Sequence, residues 1–142
     1  MVKKEKLEIK DGNIDLLNQF ITNAGVSLKT FRYFEKRNLD IIKNHLVTNI
    51  LIKDRKAIGY GHLEKENNNI WLGIAIVESQ LGKGYGLFLI NSLIKTARKL
   101  KLEVINLSVD KVNYGAISLY EKVGFIITEE MNEKSLLMKL HL

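Results

Sequence analysis

The 142-residue chain predicts a single α/β domain, residues 1–142, built on a mixed, mostly antiparallel sheet flanked by helices. Three observations carry that prediction. Strand-like and helix-like hydrophobic periods alternate repeatedly along the chain. No linker, repeat or low-complexity segment interrupts them. Apolar residues make up 46% and charged residues 27%, a balance suited to burying a core without staples.

Taken in order, Lys6 to Lys10 alternates Leu7 and Ile9 with Glu8 and Lys10, which predicts a first strand. Asp11-Gly12-Asn13 turns, and Asn13 or Asp11 caps a helix marked by Ile14, Leu16, Leu17, Phe20 and Ile21. Asn23-Ala24-Gly25 ends that helix, and Leu28, Phe31 and Phe34 place a second, shorter helix over Ser27 to Arg37, although Thr30 to Phe34 also suits an extended chain. Leu39 to Lys43 fits neither period clearly. Val47 to Lys53 and Ala57 to Glu64 read as strands joined at Asp54-Arg55, and Asn67-Asn68-Asn69 forms the next hairpin loop. The apolar run Ile70 to Val77 predicts a central strand buried on both faces. A helix follows from Gly84 or Tyr85 to Leu100, with Leu87, Ile90, Leu93, Ile94 and Ala97 on one stripe. Val104 to Val109 is a strand, and Tyr114 to Val123 is a helix stopped at Gly124. Phe125 to Thr128 and Leu136 to Leu140 close the sheet, giving the order β-α-α-β-β-β-α-β-α-β-β.

Composition narrows the chemistry. Without cysteine there is no disulfide, no thiolate metal site and no cysteine nucleophile. The three histidines, His45, His62 and His141, are far apart and show no metal-ligand spacing, so no metal is expected. The charged start, Met1 to Lys6, is followed by no apolar signal core, and no run approaches a membrane span. A cytoplasmic protein with no membrane partner is therefore the expectation. The net charge of +6 attracts anions, but Lys and Arg are scattered among acids, and no dense basic run points to nucleic acid.

The informative segment is Leu81-Gly82-Lys83-Gly84-Tyr85-Gly86, between an apolar strand and a helix. The first amides of a helix lack internal partners, and the helix dipole favours negative charge there. Glycines let an anion approach the main chain, and Lys83 adds a positive charge. A tight strand-to-helix turn needs small residues too, and that plainer reading stands beside the phosphate one. The segment lacks the Gly-Lys-Ser/Thr ending of a Walker loop and the spacing of G-x-G-x-x-G.

This loop resembles the Arg/Gln-x-x-Gly-x-Gly/Ala motif of the GNAT family of N-acetyltransferases, with Leu81 in place of the Arg or Gln and Gln80 beside it. Downstream, Asn113 to Phe125 fills every position of a second pattern of that family, Asn-x-x-Ala-x-x-Leu-Tyr-x-x-x-Gly-Phe. With the element order, the resemblance spans Leu7 to Leu140. It implies acetyl-CoA as acetyl donor, with Gly82, Lys83, Gly84, Tyr85, Gly86 and Leu87 at the pyrophosphate and no metal. It also implies main-chain contacts from Ile74, Ala75 and Ile76 to pantetheine, where a bulge parts this strand from the next. Asn113 has a side-chain amide suited to the coenzyme, and it is an equally good helix N-cap. Tyr120 is the implied general acid, since a phenol is protonated at neutral pH; by spacing alone it reads as a core tyrosine in register with Ala116 and Val123.

The base and the acceptor are less legible. The positions where family members carry a glutamate are here Ser108 and Ile70-Trp71. His62 is the best local candidate for the base, ahead of His45 and Glu64, although a lone strand histidine is more often structural, and a water chain or a neutral amine attacking directly needs none. Arg32, Tyr33, Arg37 and Trp71 suit the lining of an acceptor site, where the two arginines would fit an anionic acceptor such as a sugar nucleotide, but surface charge and partial core is the plainer and favoured reading. The expected activity is acetylation of the primary amine of a small molecule, an amino sugar or sugar nucleotide among them. The alternatives are a protein N-terminus or lysine as acceptor, a non-catalytic acyl-CoA-binding module, and a basic nucleic-acid-binding domain. A homodimer is compatible with all of these.

Overall fold

The computed structural model describes residues 6–142; the charged start read above as Met1 to Lys6 lies, up to Glu5, outside the described residues. The elements follow the order β1 (Leu7–Asp11), α1 (Ile14–Asn23), β2 (Val47–Lys53), β3 (Lys56–Glu66), β4 (Asn69–Ile76), α2 (Tyr85–Lys99), β5 (Val104–Asp110), α3 (Tyr114–Lys122), β6 (Ile126–Glu130) and β7 (Ser135–His141). One seven-stranded sheet runs β1-β2-β3-β4-β5-β7-β6, antiparallel throughout except for the parallel β4–β5 neighbours.

Local chemistry explains the corners. The β2–β3 and β3–β4 hairpins are two-residue turns, Asp54-Arg55 and Asn67-Asn68, with positive φ at all four residues. Such turns match the natural twist of paired strands. The Oδ1 of Asn13 accepts the Leu16 amide at 2.9 Å and caps α1.

Two alternating stripes on β3 set the layers. Tyr60 lies 5.8 Å from Phe20 of α1, centroid to centroid, so α1 covers the Tyr60 face. Gly59 and Gly61 point the other way and leave room for Leu89 and Leu93 of α2. The buried core falls into two clusters. Leu17, Phe20, Ile50 and Tyr60 centre one, and Ile90, Leu93, Ile105 and Met138 centre the other. Helix α2 joins them, because Leu89 belongs to the first and Ile90 and Leu93 to the second.

Two expectations are corrected. The helix predicted over Ser27 to Arg37 is a short 3-10 helix, Gly25–Lys29, followed by irregular chain. The aromatic residues explain this: Phe31 and Phe34 both turn onto Tyr60, with centroids at 5.4 and 5.3 Å, and Tyr33 turns onto His62 at 4.4 Å. A continuing helix would not send three neighbouring rings to one side. Strand β4 is also less covered than its apolar run implied, with Gly73, Ile74 and Ala75 only half-buried. Its register against β3 is unbroken from Asn69 to Ile76, so no bulge interrupts it on that side. The exposure arises on the β5 side, where pairing is confined to Trp71 opposite Asn106. Among the described residues no helix is long and apolar enough to cross a membrane.

Leu93 is fully buried in the cluster beneath α2. Leu93→Ala is expected to cost about 2–5 kcal/mol, read as a lower denaturation midpoint at unchanged slope.

Candidate active site

Two cavities flank the place where β4 leaves β5. The larger, about 740 Å³, lies between the C-terminal half of β4, the start of α2 and helix α3. The smaller, about 360 Å³, lies beside Trp71, Leu72 and Gly73 on the N-terminal half of β4, under the irregular segment after α1. Thr30 lines both, and the β4 boundary between them runs from Gly73 to Ile74.

The large slot collects most of the residues expected at a coenzyme. Ile74, Ala75, Ile76, Gly82, Gly84, Tyr85, Gly86, Leu87, Asn113 and Tyr120 all line it. Gly82 and Gly84 have φ of +73° and +85°, and a Cβ on either would meet nothing within 4 Å. The loop is thus a left-handed backbone with open space before it, and glycine relieves the strain of that conformation. No side chain caps α2, and the first amides of a helix, here those of Gly86 and Leu87, have no partner within it. At Gly86 the approach is steric, because a Cβ would lie 3.1 Å from Leu119 of α3.

The side chains around the loop are positive. Lys83 does not line the slot; its Nζ donates to Gln80 Oε1 at 3.3 Å. Lys53 Nζ donates to the same oxygen at 3.2 Å and lies 5.2 Å from the centre of the Tyr85 ring. Gln80 therefore draws two ammonium groups to the loop, whereas Leu81 is 53% exposed and makes no polar contribution. Lys53 was missed by sequence reasoning, for it lies on β2, far from the motif along the chain. Ser27 was also missed; its Oγ donates to the Ile76 carbonyl at 2.7 Å, so that carbonyl is already engaged.

Asn113 serves as N-cap of α3, with Oδ1 accepting from the Ala116 amide at 3.3 Å. Its Nδ2 has no hydrogen-bond partner among the described residues. Tyr120 is buried on α3 against Phe125, and burial raises its phenol well above the ordinary range. Its hydroxyl makes no hydrogen bond to any described residue, and it borders the slot.

The smaller cavity brings together the other candidates. Arg32, Tyr33, Arg37, His62, Glu64 and Trp71 all line it. His62 is 2% exposed and hydrogen-bonded at Nδ1 to the Tyr60 hydroxyl, at 2.6 Å. Its ring lies across Gly73 on the neighbouring strand, where a Cβ would run into it. Nε2 has no hydrogen-bond partner among the described residues. Burial, reinforced by nearby His45 and Arg37, holds the imidazole well below its usual range.

His45 stacks on His62 at 4.4 Å but does not line the cavity. Its Nδ1 pairs with Thr48 Oγ1 at 2.8 Å and its Nε2 with the Tyr33 hydroxyl at 2.7 Å. Burial first, then the nearby Glu64 carboxylate, raises the Tyr33 phenol. A neutral His45 donates at one ring nitrogen and accepts at the other, so the two hydroxyls satisfy both. His45, His62 and Glu64 place one ligand-type atom each within 4.8 Å of one another, a proximity that their sequence spacing concealed. Both nitrogens of His45 are committed to hydrogen bonds, which accounts for the cluster without an ion.

Both arginines are engaged within the fold. Arg32 makes two 2.9 Å bonds to the two oxygens of Asp110. That bond raises the guanidinium and lowers the Asp110 carboxyl from their ordinary ranges. Arg37 lies 4.2 Å from the centre of the Tyr33 ring and donates to the Tyr33 carbonyl at 2.8 Å. Neither is an uncommitted cation for an anionic acceptor.

Burial, with a smaller contribution from Arg37, lowers His45 from 6.5 to about 4. The unfolded chain therefore takes up a proton first as pH falls. Stability present above pH 6.5 should be lost as pH falls towards 4, by up to about 3 kcal/mol. Denaturation midpoints measured across that range should fall, and His45→Gln should lessen the dependence, leaving the part that buried His62 contributes.

Comparison with known proteins gives this geometry a family. The model of the acetyltransferase (GNAT) family matches residues 15–125. No curated protein matches the chain. Among solved structures, the PaiA N-acetyltransferase of Thermoplasma acidophilum, solved with coenzyme A, superposes with TM-score 0.77 at 20% identity, covering 96% of this chain and 99% of that one. A Bacillus subtilis acetyltransferase, also solved with CoA, gives TM-score 0.72 at 20% identity over 98% and 99% of the two chains. The ribosomal-protein-S18-alanine N-acetyltransferase of Escherichia coli gives 0.74 at 19% identity over 96% and 94%. With the family model spanning both the glycine loop and the Tyr120 helix, this chain belongs to the GNAT acetyltransferase family.

Proposed function

We propose that the chain transfers the acetyl group of acetyl-CoA to the primary amine of a small molecule, by direct attack with both partners bound. The observation that carries this reading is the slot itself, with an open glycine loop at the head of α2 and the unpartnered Tyr120 hydroxyl on α3. Two of the similar structures were solved with CoA, which supports the same donor here.

The residues fit that donor. The amides of Tyr85, Gly86 and Leu87, with Gly82 and Gly84 before them, would hold the pyrophosphate, and Lys53 and Lys83 supply positive charge beside it. The edge of β4 at Ile74 and Ala75, left open by β5, suits the pantetheine amides. Asn113 lines the same slot. Acetyl-CoA would supply a thioester carbonyl open to amine attack.

Tyr120 is assigned as general acid. Burial keeps its phenol protonated, so it delivers its proton to the departing thiolate and regains one from solvent. His62, which lines the smaller cavity opposite Gly73, accepts a hydrogen bond from the amine at Nε2. Its depressed basicity keeps that lone pair available, provided that Nδ1 donates to Tyr60. As the nitrogen–carbon bond forms and the carbon–sulfur bond breaks, the amine's extra proton leaves through His62 to the cavity.

Tyr120→Phe should lower turnover at least ten-fold, while acetyl-CoA affinity by calorimetry stays within about two-fold. Unchanged turnover would remove Tyr120 from the mechanism. Gly84→Val, which puts a branched side chain on a left-handed residue at the open face of the loop, should weaken acetyl-CoA binding at least ten-fold in the same titration.

A further inference from the structure

The transferase reading leaves the acceptor's chemistry open, and the smaller cavity carries information about it. Residues two apart on a strand face the same side, about 7 Å apart. On β3 this places His62, Glu64 and Glu66 in one row, and all three line the cavity. The row has a direction. His62 pairs across the sheet with Gly73, where this cavity meets the coenzyme slot, Glu64 pairs with Trp71, and Glu66 pairs with Asn69 at the outer end of the hairpin. Leading away from the junction, the floor presents one buried imidazole with an unpartnered Nε2, then a half-buried carboxylate, then an exposed one.

The walls are aromatic or charge-neutralised. Tyr33 and Trp71 bring rings to the row. Asp110 and Arg32 neutralise each other through their paired bonds. Arg37 is the remaining cation, and it sits on the Tyr33 ring against two carboxylates, Glu64 and Glu66. The Glu64 carboxylate lies beside Tyr33 and His45 and keeps lone pairs for a further donor.

Building on that transferase reading, we propose that the acceptor is a linear diamine or polyamine, whose reacting amine lies at His62 Nε2 and whose next cationic nitrogens lie on Glu64 and Glu66. The methylene segments between them pack on Trp71 and Tyr33, and the ring faces favour the adjacent cation. An acceptor carrying phosphates meets two carboxylates where its negative charge would lie.

The test is a rate comparison, read as free-CoA release, of butane-1,4-diamine, spermidine, butylamine and an amine-bearing sugar nucleotide. The expected result is a kcat/KM for the diamine and spermidine at least about ten-fold above butylamine, carried by KM and shrinking as salt is raised. Glu64→Gln and Glu66→Gln should each bring the diamine value down towards that of butylamine, again through KM. Glu66 is exposed, so its variant reports on binding without a folding defect. Equal rates for diamine and butylamine, or a preference for the sugar nucleotide, would overturn this inference while leaving the transferase reading intact. Acetyl-CoA binding with no turnover of any amine would overturn both.

Discussion

The site depends on how little of β4 is paired with β5. The two strands run parallel and meet at one register position, Trp71 opposite Asn106. Beyond it they part, and the main-chain groups on that edge of β4 face open space. Buried main-chain groups need partners. Ser27 takes the Ile76 carbonyl, while the stretch through Ile74 and Ala75 borders the slot. The opening would be a weakness in a sheet if nothing bridged it. Helix α2 does so by packing Leu89 into one core cluster and Ile90 and Leu93 into the other, and Ile74 touches both. The same helix directs its uncapped N-terminus into the gap that it spans. Coenzyme binding and the integrity of the split core thus share one element.

The two sides of the opening differ in charge. Lys53 and Lys83 converge on Gln80 beside the glycine loop. On the far side Glu64 and Glu66 line the smaller cavity, and the two arginines there are held by Asp110 and by the Tyr33 ring and carbonyl. A net charge of +6 says nothing of this division. An anionic donor and a cationic acceptor would approach opposite ends, and each end would repel the other's ligand.

Much of the fold was legible in the sequence because its signals are local. The strand and helix periods, the Asp54-Arg55 and Asn67-Asn68 turns, the Asn13 cap and the glycine loop each depend on neighbouring residues. The segment after α1 was misread because Leu28, Phe31 and Phe34 are spaced as on a helix, whereas their environment is set by Tyr60 on a distant strand. The His45–His62 stack was hidden for the same reason, since strand register places His62 opposite Thr48, the partner of His45. The pairing of Arg32 with Asp110 was hidden as well, because the two lie far apart along the chain. Asn113 was read as either cap or ligand, and its two amide atoms leave room for both roles.

The central claim is that main-chain amides at the head of α2, rather than a side chain at position 81, hold the donor's pyrophosphate. At 16.3 kDa the protein is within reach of amide-resolved NMR, which reads those groups directly. On titration with acetyl-CoA, the amides of Gly82 to Leu87 should show the largest shifts, and Leu81→Ala should leave affinity within about two-fold. Unmoved amides in that loop, with binding seen elsewhere, would contradict the account.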